Sequence, residues 1–190
     1  ELKRMAYITR QTLGFFRETR GITPIDLGAL LESAVSVACK MRNKGVEILP
    51  EVKEIPEVRG VPGEIRQLMA NLISNSIDAV DSNGRVRVRV AAAKNWCRQE
   101  NRGVRLVVAD SGCGIPPKMR PNLFEPFFTT KTDMGTGLGL WICRKIVEKH
   151  GGSIRVKSST IPGRSGTVFS VFLPILPTNE LETLHKAVSY

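Results

Sequence analysis

Long apolar stretches are missing from this chain. Its longest runs are a few residues, so no segment reads as a helix that spans a membrane. Cysteine is sparse: Cys39, Cys97, Cys113 and Cys143 form no Cys-x-x-Cys pair, and no His stands beside any of them. That spacing gives no support to a zinc or redox motif, and four reduced thiols in a cytoplasmic protein are expected. Aromatic residues are only 6% of the 190 residues, and few interleave with the arginines of 85–105, which weakens a stacking platform for nucleic acid there. Acidic residues are short, 18 against 28 basic ones, for a net charge of +10. The start, Glu1-Leu2-Lys3-Arg4, is charged and the stretch after it is amphipathic, unlike a secretory signal. The first residue is not Met, so a piece of a longer chain is expected.

What is present is a hydrophobic share of 42%, enough for one domain with a useful core. The basic excess is uneven. Residues 84–105 carry +6 and 106–177 carry +5, whereas 21–83 carry −3. A basic balance points to an anionic ligand, an acidic partner or nucleic acid. The arginines at 85, 87 and 89 alternate with valines, which predicts a solvated sheet face rather than a nucleic-acid track.

Leu2, Ala6, Thr9, Leu13 and Phe16 follow the rhythm of a coiled-coil seam, so residues 1–20 are expected to form a stalk helix with a partner. Gly21 and Pro24 mark a boundary there. Beyond it the pattern predicts a helix from Leu27 to Arg42 capped by Asp26, and a strand over Val46–Val52. A second helix is expected over Glu64–Val80, opened by Pro62. Strands come next at Arg85–Val90 and Val104–Ala109, separated by a polar hairpin loop at 94–103. Residues 110–137, rich in Gly, Pro and Thr, read as one long functional loop. A third helix, Leu138–His150, and strands Ser153–Ser158 and Gly166–Leu173 complete an α/β (α+β) two-layer sandwich, a mixed sheet with three main helices. The domain is expected to span 21–177, and the tail 178–190 carries no assignment.

Four clusters bear chemistry. Asn71, Asn75 and Asp78 are spaced i, i+4, i+7 and share one helical face. An amide oxygen there suits a hard cation such as Mg²⁺ that also draws on phosphate oxygens. Asp110-Ser-Gly112-Cys-Gly114-Ile115 places an acid and two close glycines at a strand end, where something flat can approach and an amino group can donate. Phe124-Glu-Pro-Phe-Phe128-Thr-Thr130-Lys131 reads as a lid pinned by apolar anchors, with a lysine for a phosphate. Gly135-Thr136-Gly137-Leu138-Gly139-Leu140 opens a helix, where free N–H groups and the dipole favour an anion. Its spacing matches neither the dinucleotide nor the Walker pattern.

In order and spacing these clusters resemble the ATP-binding catalytic domain of bacterial sensor histidine kinases, of the GHKL (Bergerat-fold) ATPase superfamily. The resemblance covers roughly 21–175; residues 1–20 resemble the second helix of a dimerisation and phosphoacceptor hairpin. It implies Asn75 as the Mg²⁺ ligand and Asp110 as the acceptor for the adenine amine, with Gly112, Gly114 and Ile115 around the base. Thr167 would assist the base end, and Lys131 with the N–H groups of Gly135 to Leu140 would hold the phosphates. It also implies a homodimeric parent, a response regulator receiver domain as partner, and an acceptor His outside this chain. Hydrolysing relatives such as DNA gyrase, MutL and heat-shock chaperones carry a Glu four residues before the metal-binding Asn. Here that residue is Asn71, and a neutral amide takes no proton from water at pH 7. Transfer to a protein is therefore favoured; a nucleotide-sensing module without kinase activity and a GHKL ATPase are the alternatives. His150 is expected to be structural, and this chain is expected not to phosphorylate itself.

Overall fold

The computed structural model describes residues 21–40, 45–96, 102–130, 136–176 and 178–188. The expected stalk helix, Lys131 and Gly135 lie outside the described residues. The elements run β1 (Thr23–Ile25), α1 (Leu27–Lys40), β2 (Glu47–Val52), β3 (Val58–Gly60), α2 (Pro62–Ala79), β4 (Arg85–Lys94) and β5 (Arg102–Asp110), then a 3-10 turn (Pro117–Asn122), α3 (Gly139–Lys149), β6 (Ser153–Ser159), β7 (Gly166–Pro174) and α4 (Thr178–Val188). Five strands form one mixed sheet in the order β2-β4-β5-β7-β6. β2 runs parallel to β4, and the remaining neighbours are antiparallel. Among the described residues, no helix is long and apolar enough to cross a membrane.

The sheet is two-sided because β4 alternates. Val86, Val88 and Val90 are fully buried, whereas Arg85, Arg87 and Arg89 are exposed. The buried set joins Val104, Leu106 and Val108 of β5 and Phe169, Val171 and Leu173 of β7. The helical spacing of apolar residues on α2 answers it from above: Ile65, Leu68, Met69, Leu72, Ile73 and Ile77 are all buried in the same core. Each such side chain contributes about 1.5–3 kcal/mol on burial. Pro50 is tolerated in β2 because that strand lies at the sheet edge.

The predicted helices and strands of the core are present, and Asp26 caps α1 by accepting the Ala29 N–H at 3.0 Å. Three features correct the sequence reading. Thr23–Ile25 and Val58–Gly60 pair as a second, two-stranded sheet, each too short to carry a periodic signal. Residues 110–137 are not loop throughout, since Pro117–Asn122 coils into a 3-10 turn. The tail is helical from Thr178 to Val188, buries Leu181 and packs on α3, adding a fourth helix to the expected three.

His150 has the structural role expected of it, but by hydrogen bonding rather than by charge. The Val61 N–H donates to its Nε2 at 3.2 Å, so the ring proton sits on Nδ1, which donates to the Ile146 carbonyl at 2.8 Å. The imidazole is neutral and stitches the end of α3 to the start of α2. Lys149 beside it donates to Glu64 at 2.7 Å. Gly151, at φ +65°, then ends the helix, with its N–H and that of Gly152 closing on the Glu148 and Val147 carbonyls.

Candidate functional site

The site is laid out along α2. Asn71, Asn75 and Asp78 fall on one face of that helix and are half-buried. Asn71 donates through Nδ2 to the Gly139 carbonyl at 3.3 Å, tying α2 to the first residue of α3. Asn75 stands at the same junction, with its Nδ2 3.9 Å from where a β-carbon on Gly139 would sit. Asn75 and Asp78 are both engaged by neighbours within the fold. One to two turns later along α2, Ser76 and Ala79 meet the end of β5. The distance from Asn71 to Ala79 is about 12 Å along the axis. One helix thus links two chemically different ends.

At the α3 end, Gly137 adopts φ +68°, and a side chain there would collide with the Phe127 backbone. Phe127 is itself left-handed at φ 65° and is 74% exposed. The lid and the glycine segment therefore touch backbone to backbone. Thr136 Oγ1 accepts the Leu138 N–H at 3.3 Å, but no side chain caps α3 and its first turn holds no acid. Its leading N–H groups remain donors for an anion, with the dipole in support. Phe124 and Leu140 pack against the core. Phe128 is half-buried, and Thr130 is exposed.

The opposite end is a polar row crossing the sheet. Asp110, Thr167 and Ser158 are direct partners on β5, β7 and β6, all on the helix-facing side. The N–H groups of Gly112 and Thr167 both donate to Asp110 Oδ1, at 3.0 and 3.1 Å. Neither of these two N–H groups uses Oδ2. Burial pushes the Asp110 carboxyl above its ordinary range, and those two N–H groups and the nearby Ser76 hydroxyl oppose the rise. Ser76 is fully buried, and its Oγ completes no hydrogen bond in the fold. Gly112 lies so close under Ala79 that any side chain would strike the Ala79 carbonyl, and the Cys113 N–H donates to that carbonyl at 3.1 Å. Gly114, at φ +76°, likewise abuts the Ser159 carbonyl, and Ile115 rests on the core.

Thus Asp110, Gly112, Gly114, Ile115 and Thr167 come together at one end, and Asn71, Asn75, Gly137, Leu138 and Gly139 at the other. Three further residues escape a reading of the sequence. Ser76 belongs to the polar cluster of α2 but is hidden there among apolar neighbours. Ser158 is visible only through strand register. Arg120, from the 3-10 turn, donates to the Ser158 carbonyl at 2.6 Å and the Ile115 carbonyl at 3.3 Å, pinning the lid's base. Cys113 is exposed in this loop, while the buried Cys143 thiol is pushed up to about 12 by desolvation and stays protonated. Among the described residues no cluster of His, Cys, Asp and Glu could hold a metal alone. The arrangement suits an elongated ligand with an amine-bearing ring at one end and an anion at the other.

Residues 60–177 match the family described as histidine kinase-, DNA gyrase B- and HSP90-like ATPase. The chain is 35% identical to the sensor histidine kinase ZraS of Salmonella typhimurium over 93% of its own length and 34% of that protein. It therefore spans about a third of that curated relative. Full-length ShkA, solved in complex with AMPPNP, superposes with a TM-score of 0.72 at 25% identity, over 92% of this chain and 37% of that one. The histidine kinase ThkA, solved in complex with the response regulator protein TrrA, superposes with a TM-score of 0.68 at 29% identity, over 93% and 48%.

Proposed function

The chain belongs to the histidine kinase-, DNA gyrase B- and HSP90-like ATPase family, and from that premise we propose that it is the catalytic domain of a sensor histidine kinase. In this reading it binds Mg-ATP and passes the γ-phosphoryl group to a His on a hairpin helix outside this chain, for relay to a response regulator receiver domain. The domain spans 21–177, and 1–20 supplies the second hairpin helix, through which the parent dimerises.

The observation that carries the transfer over hydrolysis is Asn71. A neutral amide stands where hydrolysing relatives use Glu, and it is committed to the Gly139 carbonyl. Asp110 Oδ2 accepts from the adenine amine, and Gly112 and Gly114 let the ring reach the backbone. The N–H groups opening α3, with Lys131, hold the phosphates. Mg²⁺, when bound, neutralises phosphate charge. The donor set fits it: one amide oxygen from Asn75, with phosphates and waters completing the shell, as Mg²⁺ prefers. Phosphoryl transfer needs positioning more than proton chemistry, and these residues position.

The test is ATP binding with and without Mg²⁺, followed by transfer to a supplied acceptor-hairpin fragment carrying its His. The wild-type chain should bind Mg-ATP and label the fragment. Asn75→Ala should lose the Mg²⁺-dependent gain by roughly tenfold or more, about 1.4 kcal/mol. Unchanged Mg²⁺ dependence in that variant would remove the metal assignment. Tight binding with no transfer to any hairpin would instead favour a nucleotide-sensing module.

A further inference from the structure

The polar row at the sheet end contains more hydrogen-bonding constraint than adenine recognition by a single carboxylate requires. Ser158 Oγ is its hub. It accepts the Ile115 N–H at 2.7 Å and lies 2.9 Å from the Gly166 carbonyl and 2.9 Å from Thr167 Oγ1. A serine hydroxyl has one proton and two lone pairs. The Gly166 carbonyl can only accept, so the Ser158 proton goes there. One lone pair is filled by Ile115. The contact with Thr167 must then use the second lone pair, and Thr167 is the donor.

The consequence reaches the ligand. With its proton committed to Ser158, Thr167 has only lone pairs to offer elsewhere. Its neighbour across the row, Asp110, takes two N–H groups on Oδ1 and also offers lone pairs. The base end is thus a wall of acceptors, and the buried Ser76 hydroxyl beside Asp110 is the side-chain donor at that end. Set against the 6-position of a purine, such a wall welcomes an amine, which brings two N–H donors, and leaves the ring N1, an acceptor in a 6-aminopurine and a donor in a 6-oxopurine, to be met from elsewhere. It opposes a ring carbonyl, whose lone pairs would face lone pairs in a site where unmet polar groups are costly.

We propose that Ser158 is a specificity-determining positioning residue: by holding the Thr167 proton it makes the base end select 6-aminopurine over 6-oxopurine nucleotides. The inference rests on the reading of this end as the nucleotide-base pocket. Removing the Ser158 hydroxyl frees Thr167 to rotate its proton toward the ligand and accommodate a carbonyl. It also unpairs the Ile115 N–H, which weakens the pocket for every nucleotide.

Dissociation constants for ATP and ITP, measured on the whole chain with Mg²⁺, separate these effects. The ITP/ATP ratio should be large in the wild type and fall about tenfold in Ser158→Ala, the worth of one hydrogen bond near 1.4 kcal/mol. Ser158→Thr keeps the hydroxyl and should restore the ratio. Should Ser158→Ala fail to fold, Ser158→Cys, a weak donor and acceptor of similar size, carries the same prediction in direction. A purely structural role would weaken both nucleotides equally and leave the ratio fixed, which overturns the proposal. A wild type that binds neither nucleotide, or both equally, removes the base-pocket reading and this inference with it. A wild type that discriminates, with a variant that discriminates equally, removes this inference alone.

Discussion

The two faces of the five-stranded sheet carry charge in opposite ways. On the helix-facing side, rows of Val, Leu and Phe are buried, and charge enters only at the end, where Asp110 meets Thr167 and Ser158. On the outer side the arginines of β4 stand in water. Arg85 and Arg89 reach Glu47 and Glu51 of β2 at 3.1 and 3.6 Å. Two guanidiniums lie against the Trp96 ring, Arg105 at 4.8 Å and Arg155 at 4.5 Å from its centre. The same strands thus place one carboxylate where desolvation makes each hydrogen bond count, and the arginines of β4 where water screens them. Composition alone, which reports only the +10 sum, hides this division. That one half-buried acid weighs more than the surplus of bases.

Asp110→Asn should give the largest effect. It replaces an ionised acceptor by an amide that turns N–H groups toward an amine. ATP affinity should drop roughly a hundredfold, near the upper end of a charged hydrogen bond's worth. The pH dependence follows from the raised carboxyl. The folded chain takes up this proton more readily than the unfolded one, so the carboxylate costs stability at neutral pH, and that cost fades as pH falls through the raised value. Affinity runs the other way, because protonation removes the acceptor. Wild-type ATP binding should therefore weaken as pH falls, beginning above the ordinary carboxylate range. Asp110→Asn should lack that pH step and be no less stable without ligand. Titration calorimetry across pH and urea unfolding read both.

A backbone contact ranks next. Gly112 faces the Ala79 carbonyl of α2 on the packed side, whereas Gly163, at φ +75°, has nothing within 4 Å of the added β-carbon. Gly112→Ala must push the loop from the helix and should cost about 2–3 kcal/mol, with nucleotide affinity lost alongside. Gly163→Ala meets only the left-handed backbone penalty, about 1 kcal/mol, and should bind ATP normally. Urea unfolding of the two variants compares a close approach with a conformational preference. Equal costs would show that the packed side tolerates movement as freely as the open turn.

The periodic parts of this contrast were legible in the sequence. The Arg–Val alternation of β4 foretold which side meets water, and the apolar spacing of α2 foretold which side is core. The clusters at 71–78, 110–115 and 136–140 stand out in the sequence because glycine, acid and amide have few other reasons to gather at element ends, and the structure brings them to the two ends of one stretch of α2. Ser158 and Arg120 were not readable. Their roles depend on which residue of another strand lies opposite, and a register is set by the whole sheet rather than by neighbours in the chain. The pairing of Thr23–Ile25 with Val58–Gly60 was hidden for the same reason. The tail helix carried a short apolar pattern that only contact with α3 turns into a buried face.

The smallest effect belongs to the outer face, and it decides whether the contrast is one of environment or only of residue type. Arg85 and Glu47 form a 3.1 Å pair, yet both side chains are more than half exposed. Two long side chains lose rotamer freedom to hold that geometry, and water already solvates each charge. A double-mutant cycle with Arg85→Ala and Glu47→Ala should give a coupling of about 0.5 kcal/mol or less, shrinking further as salt rises. ATP affinity should stay within roughly twofold, since fields from this face are screened over about 10 Å at 0.1 M ionic strength. A coupling of several kcal/mol would mean that the outer face is shielded from solvent, and the distinction between one decisive half-buried acid and many dispensable surface bases would fail.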